Sequence, residues 1–265
     1  MTVAPGGNVV ATTPPTSDNS SRLATTAYAQ TQGSLNQIFQ LSAAATYTGG
    51  LVIDLSNETR ILTLSLASNA ALTNLNISGA TALTTLSVNA ATALTTLNAA
   101  GAAALTSLDV GAAAALTSLD VSGTALSGLT LTDNTALTSL NIANAASITG
   151  VTLTPNTALT QILAAGSGLT ALTTTALTAL VHLDVSGTAI TTLTISANIL
   201  LTYLSAKGCA ITSASVVNTI LGALVTAALT NGLCDLSGGT NAAPTGAGVT
   251  ARTTLRSRGW TVLTN

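Results

Sequence analysis

The hydrophobic residues of this chain recur in a short motif, L-T-x-L-x-[VIL], with small polar residues between its apolar places. Successive copies are 10 or 11 residues apart, so that two copies make a unit of 21 or 22 residues. A fixed period of this length is typical of proteins built from stacked repeats. The first apolar residues of the copies keep one register along the chain: Leu72, Leu83, Leu94, Leu105, Leu116, Leu126, Leu137, Ile148, Leu159, Leu169, Leu180, Ile190, Leu201 and Ile211.

Each unit contains two strand-like stretches, such as Leu119–Val121 and Leu129–Leu131, joined by Ser, Gly, Thr, Asn and Ala. Side chains alternate along a strand, so Leu119 and Val121 point inward and Asp120 points outward. One unit cannot bury its leucine stripe alone, but stacked units make the stripe continuous. No unit has the roughly 10–15 residues of helical periodicity that a helix would need. The pattern therefore predicts a mostly β fold, a parallel β-solenoid with two sheets.

The unit LTSLDVSGTALSGLTLTDNTA resembles bacterial leucine-rich repeats, written L-x-x-L-x-L-x-x-N-x-L. The four apolar places are filled by Leu116, Leu119, Val121 and Leu126. In that family the asparagine is expected to bond the backbone at the turn, and here Thr124, Thr188 and Cys209 are among the small residues that replace it. Two interpretations remain open, a tighter and drier turn or a turn whose hydrogen bonds are completed by water.

Both ends of a solenoid need a cap. We assign residues 48–71 to an N-terminal cap, 72–215 to a solenoid of about seven units, and 216–265 to a small α/β C-terminal cap. Within the last part, helical spacing between Ser213 and Leu229 predicts a helix. Its apolar face would consist of Val217, Ile220, Leu221 and Leu224. A strand over 233–236, a helix over 249–259 and a final strand over 260–263 complete the predicted cap.

Residues 1–47 form a different, helical or extended segment. Asp18 or Ser20 could cap a helix that enters at Arg22, and its interrupted apolar stripe continues to Ile38 and Phe39. Such a helix is marginal alone and would be stabilised by copies of itself or by a partner. A flexible tail with a chance helical pattern is the alternative.

The stretch D-N-S-S-R-L-A-T-T-A-Y in this segment resembles a short motif near the N-termini of phage and prophage tail-fibre proteins. The candidate virion-attachment residues are Asp18, Arg22, Thr25, Thr26 and Tyr28. The ending GLCDLSGGTNAAP…GWTVLTN is similar to the terminal segment of phage-encoded leucine-rich-repeat proteins. The resemblance implies that the N-terminal segment binds other virion proteins.

The chain is 47% hydrophobic but only 5% charged, whereas an ordinary globular domain carries roughly 25% charged residues. Disordered chains are poor in large aliphatic residues and rich in charge, so this composition favours a leucine core wrapped in small polar residues. The chain has no basic run, no apolar run of roughly 18 residues and no secretory leader pattern. We therefore expect no nucleic-acid binding, no membrane insertion and no signal peptide. Cys209 and Cys234 fit two buried thiols better than a disulfide.

Candidate chemistry is sparse. The single histidine, His182, lies at an outward place beside Asp184, and Ser205 and Tyr203 lie one coil away. A catalytic pair would also require a nucleophile within reach and a pocket. Neither metal-ligand spacing nor a glycine-rich phosphate loop is present in the sequence. We therefore expect no enzymatic activity and no cofactor.

The outward places of the first sheet change along the chain. Early units carry Asn, Thr and Ser there, whereas later units carry larger and more varied side chains. Aromatic and polar groups on a rigid sheet suit contact with a sugar or a protein loop. The candidate receptor-contact residues are Gln161, Leu163, His182, Asp184, Tyr203 and Lys207. Variation that merely accompanies the neighbouring cap is the alternative.

Together the two resemblances predict a phage tail fibre or tail-associated structural protein, assembled in the host cytoplasm and located in the virion. Its solenoid would bind a glycan or protein of the host surface. A homotrimer held together by residues 20–40 is left open. The other functions left open are virion decoration and a bacterial leucine-rich-repeat surface interaction protein.

Overall fold

A computed structural model describes residues 38–40 and 50–265 of the chain. These residues form a mostly β, leucine-rich-repeat-type parallel solenoid with two sheets and two helices, which confirms the fold class predicted from the repeat. All strand pairs in the described chain are parallel, and each strand pairs with its equivalent one coil away.

The larger sheet has ten strands, and the smaller sheet has four. The strands of the larger sheet are β2 (Leu51–Asp54), β4 (Leu72–Asn76), β6 (Thr96–Asn98), β8 (Ser118–Asp120), β9 (Ser139–Asn141), β10 (Gln161–Leu163), β11 (His182–Asp184), β12 (Tyr203–Ser205), β13 (Leu233–Leu236) and β14 (Thr261–Thr264). Those of the smaller sheet are β1 (Ile38–Gln40), β3 (Thr63–Ser65), β5 (Thr85–Ser87) and β7 (Ser107–Asp109). The helices are α1 (Ala214–Ala227) and α2 (Ala247–Ser257).

The core is a stack of leucines in register. Leu97, Leu119 and Leu140 lie opposite one another on β6, β8 and β9, and each exposes at most 1% of its surface. Complete burial of a leucine contributes about 1.5–3 kcal/mol relative to leaving it exposed. The inward column of the motif is therefore the main source of stability, as the alternation predicts.

The threonine that follows the first leucine of the motif joins one coil to the next. Thr95 Oγ1 donates to the carbonyl of Thr73 at 3.0 Å, and Thr117 Oγ1 donates to that of Thr95 at 3.0 Å. Thr138 continues the series to Thr117, also at 3.0 Å. A valine would fill the same space without this donor, so the ladder gives a structural reason for L-T in the motif.

The turn after each strand of the larger sheet closes on small residues. Gly123 has a φ of +66°, a left-handed conformation that favours glycine, and Asn144 adopts a φ of +57° at the equivalent place. Thr124 Oγ1 donates to the carbonyl of Val121 at 2.7 Å. The threonine hydroxyl thus satisfies a backbone group at the place where leucine-rich repeats are expected to carry asparagine.

Buried asparagines occur at the other turn of the coil, which the sequence analysis did not consider. Asn134, Asn156 and Asn198 are each at most 2% exposed. The Nδ2 atom of Asn134 donates to two carbonyls of the preceding coil at 3.0 and 3.1 Å, and Asn198 does the same at 2.7 and 3.0 Å. Asparagines that bond to the preceding coil are therefore present half a coil from the place expected from the repeat motif, and of these three only Asn134 and Asn156 lie on consecutive coils.

The smaller sheet does not run along the whole solenoid, and the prediction that every unit has two strands was wrong in this respect. Among the described residues its last strand is β7, and beyond it only Thr130 and Thr152 form a bridge. The first place of each strand holds Thr63, Thr85 or Ser107 in the early coils, but Gly128 and Gly150 later. Glycine weakens a strand because it has high conformational freedom and no side chain to pack.

The helices and strands near the C-terminus have the predicted kind and order. The buried residues of α1 are the predicted four, Val217, Ile220, Leu221 and Leu224. β13, α2 and β14 follow in the predicted order, with α2 ending at Ser257. Neither helix has the length and hydropathy of a membrane-spanning segment, as far as the described chain extends.

At the other end the prediction of a helical stripe through Ile38 and Phe39 was wrong. Ile38–Gln40 is strand β1, because it pairs in parallel with β3 and so extends the smaller sheet. Residues 1–37 and 41–49 lie outside the described residues, and with them the rest of the predicted N-terminal segment.

Candidate binding face

Strands β10, β11 and β12 place the predicted contact residues side by side. Gln161 pairs with His182 and His182 with Tyr203, so their side chains form one outward column. The three are half-buried, whereas Leu183 and Leu204, the next residues along β11 and β12, point inward and are completely buried. We call Gln161, His182 and Tyr203 the aromatic ridge.

The rings of His182 and Tyr203 are stacked. Their centroids are 3.9 Å apart and their planes differ by 5°. Neighbouring strands are about 4.8 Å apart, so aromatic side chains in one column come naturally into face-to-face contact. Each ring restricts the rotamers of the other, which makes this part of the ridge rigid before any ligand arrives.

The environment of the ridge changes the acidity of both rings. Burial lowers the pKa of His182, and the nearby Asp184 carboxylate opposes that shift. Burial raises the pKa of Tyr203, and the charges of Asp184 and Asp235 raise it further. The ridge is therefore uncharged near neutral pH, with a neutral imidazole and a neutral phenol.

Gln161 ends the ridge on the side of the early coils. Ser139 Oγ donates to Gln161 Oε1 at 3.3 Å, which fixes the amide oxygen toward β9. The amide nitrogen of Gln161 has no partner among residues 38–40 and 50–265. It is a free donor for a ligand on the outer face.

A second outward column lies two residues further along the strands and contains Asp120, Asn141, Leu163, Asp184 and Ser205. Its side chains also bond to the turns. Asp184 Oδ1 accepts a hydrogen bond from the backbone N–H of Ser186 at 2.9 Å, and Asp120 Oδ1 does the same for Ser122. Leu163 occupies this column without such a bond. Asp184, predicted only as a contact residue, therefore also stabilises its own turn.

Lys207 is exposed at the turn after β12, and it forms no ion pair within the described chain. The structure thus places Gln161, Leu163, His182, Asp184, Tyr203 and Lys207 on three consecutive coils of one face. The candidate attachment residues Asp18, Arg22, Thr25, Thr26 and Tyr28 lie outside the described residues.

Three exposed aliphatic residues were missed by the sequence analysis. Val181, Ile199 and Leu200 expose 38%, 56% and 47% of their surface. They lie in the turns that lead into β11 and β12: Val181 directly precedes His182, and Ile199 and Leu200 lie four and three residues before Tyr203. Earlier units carry Thr or Ala at the equivalent places, so the departure from the repeat was the available signal. We call these three residues the apolar flank.

Both thiols of the described chain are buried in apolar surroundings, which disfavours the reactive thiolate. Cys209 and Cys234 are both free and buried, as the sequence favoured. Burial raises the pKa of each thiol, and the Cys209 thiol donates to the carbonyl of Val185 at 3.0 Å. His182 forms no hydrogen bond with Ser205 or Tyr203 in this part of the chain. No group of three metal-ligating side chains occurs among the described residues.

No family model matches the chain, and no curated protein matches it either. Among solved structures it is similar to the functional domain of InlJ from Listeria monocytogenes, which includes a cysteine ladder. The identity is 24% and the TM-score 0.46, over 74% of this chain and 43% of that one, less than half its length.

Two further solved structures are similar to the chain. A leucine-rich-repeat protein from Leptospira interrogans is 14% identical with a TM-score of 0.45, over 80% of this chain and 69% of that one. An internalin from Listeria monocytogenes is 18% identical with a TM-score of 0.38, over 76% of this chain and 71% of that one. None of the three is described as a phage protein.

Proposed function

We propose that the chain is a leucine-rich-repeat interaction protein that binds a macromolecular partner through the aromatic ridge and the apolar flank. The observation that carries the proposal is the stacked pair His182–Tyr203 on a rigid sheet. In the same column the earlier coils carry Val52, Asn74, Thr96, Ser118 and Ser139, none of which is aromatic. Folding needs nothing larger than these residues at an outward place.

The physical character of the face supports a macromolecule as the ligand. Aromatic residues with exposed aliphatic neighbours provide the apolar centre that dominates interface energies. The free amide nitrogen of Gln161 and the exposed ammonium of Lys207 would lie at the polar rim. The proposal includes no reaction, so the chain acts by binding without a cofactor.

The proposal can be tested by replacing each residue of the aromatic ridge with the type of residue that an earlier coil carries at the equivalent place. Gln161→Ser, His182→Ser and Tyr203→Thr together restore residues that the solenoid already carries at this column. Loss of one interface hot spot costs about 2 kcal/mol or more, roughly 30-fold in Kd. The triple variant should therefore bind at least ~30-fold more weakly to cell envelopes of the bacterium that carries the gene or hosts the phage.

The control is Thr173→Ala with Thr194→Ala, which changes exposed residues outside the larger sheet. Its binding should match that of the unchanged protein, and both variants should keep its circular dichroism spectrum. Equal binding by the ridge variant would refute the proposal.

A phage tail location is a second, more specific proposal, and it rests on the resemblance of Asp18–Tyr28 to a tail-fibre motif. Attachment to other virion proteins would then be through residues 1–47, and the partner of the ridge would be a host-surface glycan or protein. Arg22→Ala with Tyr28→Ala in the full chain should remove the protein from purified particles while leaving envelope binding intact. Particles that retain the variant in full amount would refute this location.

A further inference from the structure

Carboxylates in the second outward column accept hydrogen bonds from the following coil in the early part of the solenoid. Asp120 accepts from Ser122 with Oδ1, and its Oδ2 accepts from Asn141 Nδ2 at 2.9 Å. Asn76 Nδ2 likewise donates to Asp54 Oδ1 at 3.1 Å. An asparagine on the following coil thus satisfies the aspartate before it.

The late coils break this rule. Asp184 and Asp235 each use Oδ1 to accept the N–H two residues later, at 2.9 Å. Their Oδ2 atoms have no partner within the described chain. Ser205 stands between them, paired with Asp184 on one side and Asp235 on the other. A serine is too short to do what Asn141 does for Asp120.

Ser205 provides an independent sign of a site. It is only 6% exposed, and its Oγ forms no hydrogen bond with any described residue. Alternation directs it to the same face as the two aspartates, because Leu204 beside it is completely buried. A nearly buried hydroxyl therefore points into the gap between two carboxylates. We call Asp184, Ser205 and Asp235 the acidic notch.

The spacing of the two strands that carry the aspartates favours an extended cation over a single metal ion. Asp184 and Asp235 are two strands apart, about 9.6 Å along the sheet. A single Ca²⁺ would need both carboxylate oxygens at about 2.4 Å from it, hence within ~5 Å of each other. A guanidinium spreads five donors over a plane and can reach two separated acceptors at once.

The surroundings favour binding of such a group. Leu163 pairs with Asp184 and Leu263 with Asp235, so the two leucines occupy the column on either side of the notch and provide apolar surface beside it. Tyr203 lies alongside, close enough for both carboxylates to raise its pKa, and offers a ring to a cation. Lys207 follows Ser205 by two residues in the chain, and it pairs with neither aspartate in the described chain.

We propose that the acidic notch binds an arginine side chain of the partner, with the guanidinium donating to Asp184 Oδ2, Asp235 Oδ2 and Ser205 Oγ. This proposal names the partner's chemistry at the ridge and so rests on the proposed function. The partner is accordingly a protein that presents an arginine beside an apolar group, rather than an uncharged glycan.

The notch can be probed with N-acetyl-arginine amide, using the full chain labelled with ¹⁵N. Saturable shifts in the amides of Ser186, Lys207 and Ser237 are expected, and none with the uncharged citrulline analogue. Asp184→Asn should weaken binding about tenfold while it keeps the acceptor for Ser186. Asp133→Asn, an equal change of charge away from the notch, should have no effect.

Ser205→Asn provides the sharpest variant. It keeps both carboxylates but adds the donor that Asn141 supplies to Asp120, so arginine binding should be lost although the charge is unchanged. Arginine binding that survives Ser205→Asn, or shifts caused by Ca²⁺ and not by arginine, would overturn the proposal. If ridge variants still abolish envelope binding in that case, the proposed function stands and only the arginine site is refuted.

Discussion

Asn156 ties its turn to the preceding coil. Its Nδ2 atom donates to the carbonyls of Leu131 at 3.0 Å and Asn134 at 2.8 Å, and the residue is completely buried. Asn156→Ala removes both bonds, at about 1 kcal/mol each, and leaves a small cavity. We expect the free energy of unfolding to fall by about 2–3 kcal/mol. For a chain of this size each kcal/mol lowers Tm by roughly 2–4 °C, so thermal unfolding should show a fall in Tm of about 4–12 °C.

Two variants separate the hydrogen bonds from other effects. Thr157→Ala changes an exposed neighbour in the same turn and should alter stability by less than about 0.5 kcal/mol. Asn156→Asp keeps the shape but replaces the donor by a carboxylate oxygen, and burial of that charge should make it less stable than Asn156→Ala. The reasoning is refuted if Asn156→Ala unfolds no earlier than Thr157→Ala, or if Asn156→Asp is tolerated.

Four further outcomes are expected. The backbone N–H of Thr261 donates to the carbonyl of Gly232, so the carbonyl of the next residue, Val262, faces the free edge of β14. Arg256 Nη2 donates to this carbonyl at 2.6 Å and so covers the edge. Arg256→Ala should therefore cause self-association that increases with protein concentration, as measured by sedimentation. Removing the Asp184 charge should lower the pKa of His182 further, which an NMR titration of Asp184→Asn would detect. The pKa of His182 in the folded chain already lies below the unfolded value of about 6.5. The free energy of unfolding should therefore fall as the pH decreases from about 6.5 through the folded pKa, because the unfolded chain binds the proton more readily. Thr117→Val should cost about 1 kcal/mol in thermal unfolding by removing one rung of the threonine ladder.

The repeat arithmetic predicted which side chains point inward, because alternation along a strand is a local property of the backbone. The alternation in the three-residue sequence Leu-Asp-Val predicted that Leu119 and Val121 point inward, and both are buried. The threonine ladder was not predicted, since it joins a side chain to a carbonyl 21 or 22 residues earlier. Contacts of this kind depend on how the coils stack. For the buried asparagines the sequence did contain a signal, because Asn134 and Asn156 recur 22 residues apart.

The candidate face was predicted in part for the same reason. Equal spacing placed His182 and Tyr203 in one column, but their parallel stacking follows from the distance between strands and from the rotamers. The apolar flank lies in turns, where the strand pattern gives no inward or outward assignment. Ser205 was placed correctly in the outward column, but its burial depends on neighbours from three strands.

The two outward columns are under different physical constraints. Side chains of the first column form no hydrogen bond to a turn, so a histidine at this place instead of the serine of an earlier coil changes the free energy of unfolding little. The second column closes the turn, and a side chain that accepts no N–H there forgoes a bond of about 1 kcal/mol. Leu163 and Ser205 are such exceptions, and they lie on either side of Asp184. Folding does not explain why Ser205 stands where earlier coils carry an asparagine such as Asn141, whereas the proposed arginine ligand between Asp184 and Asp235 would.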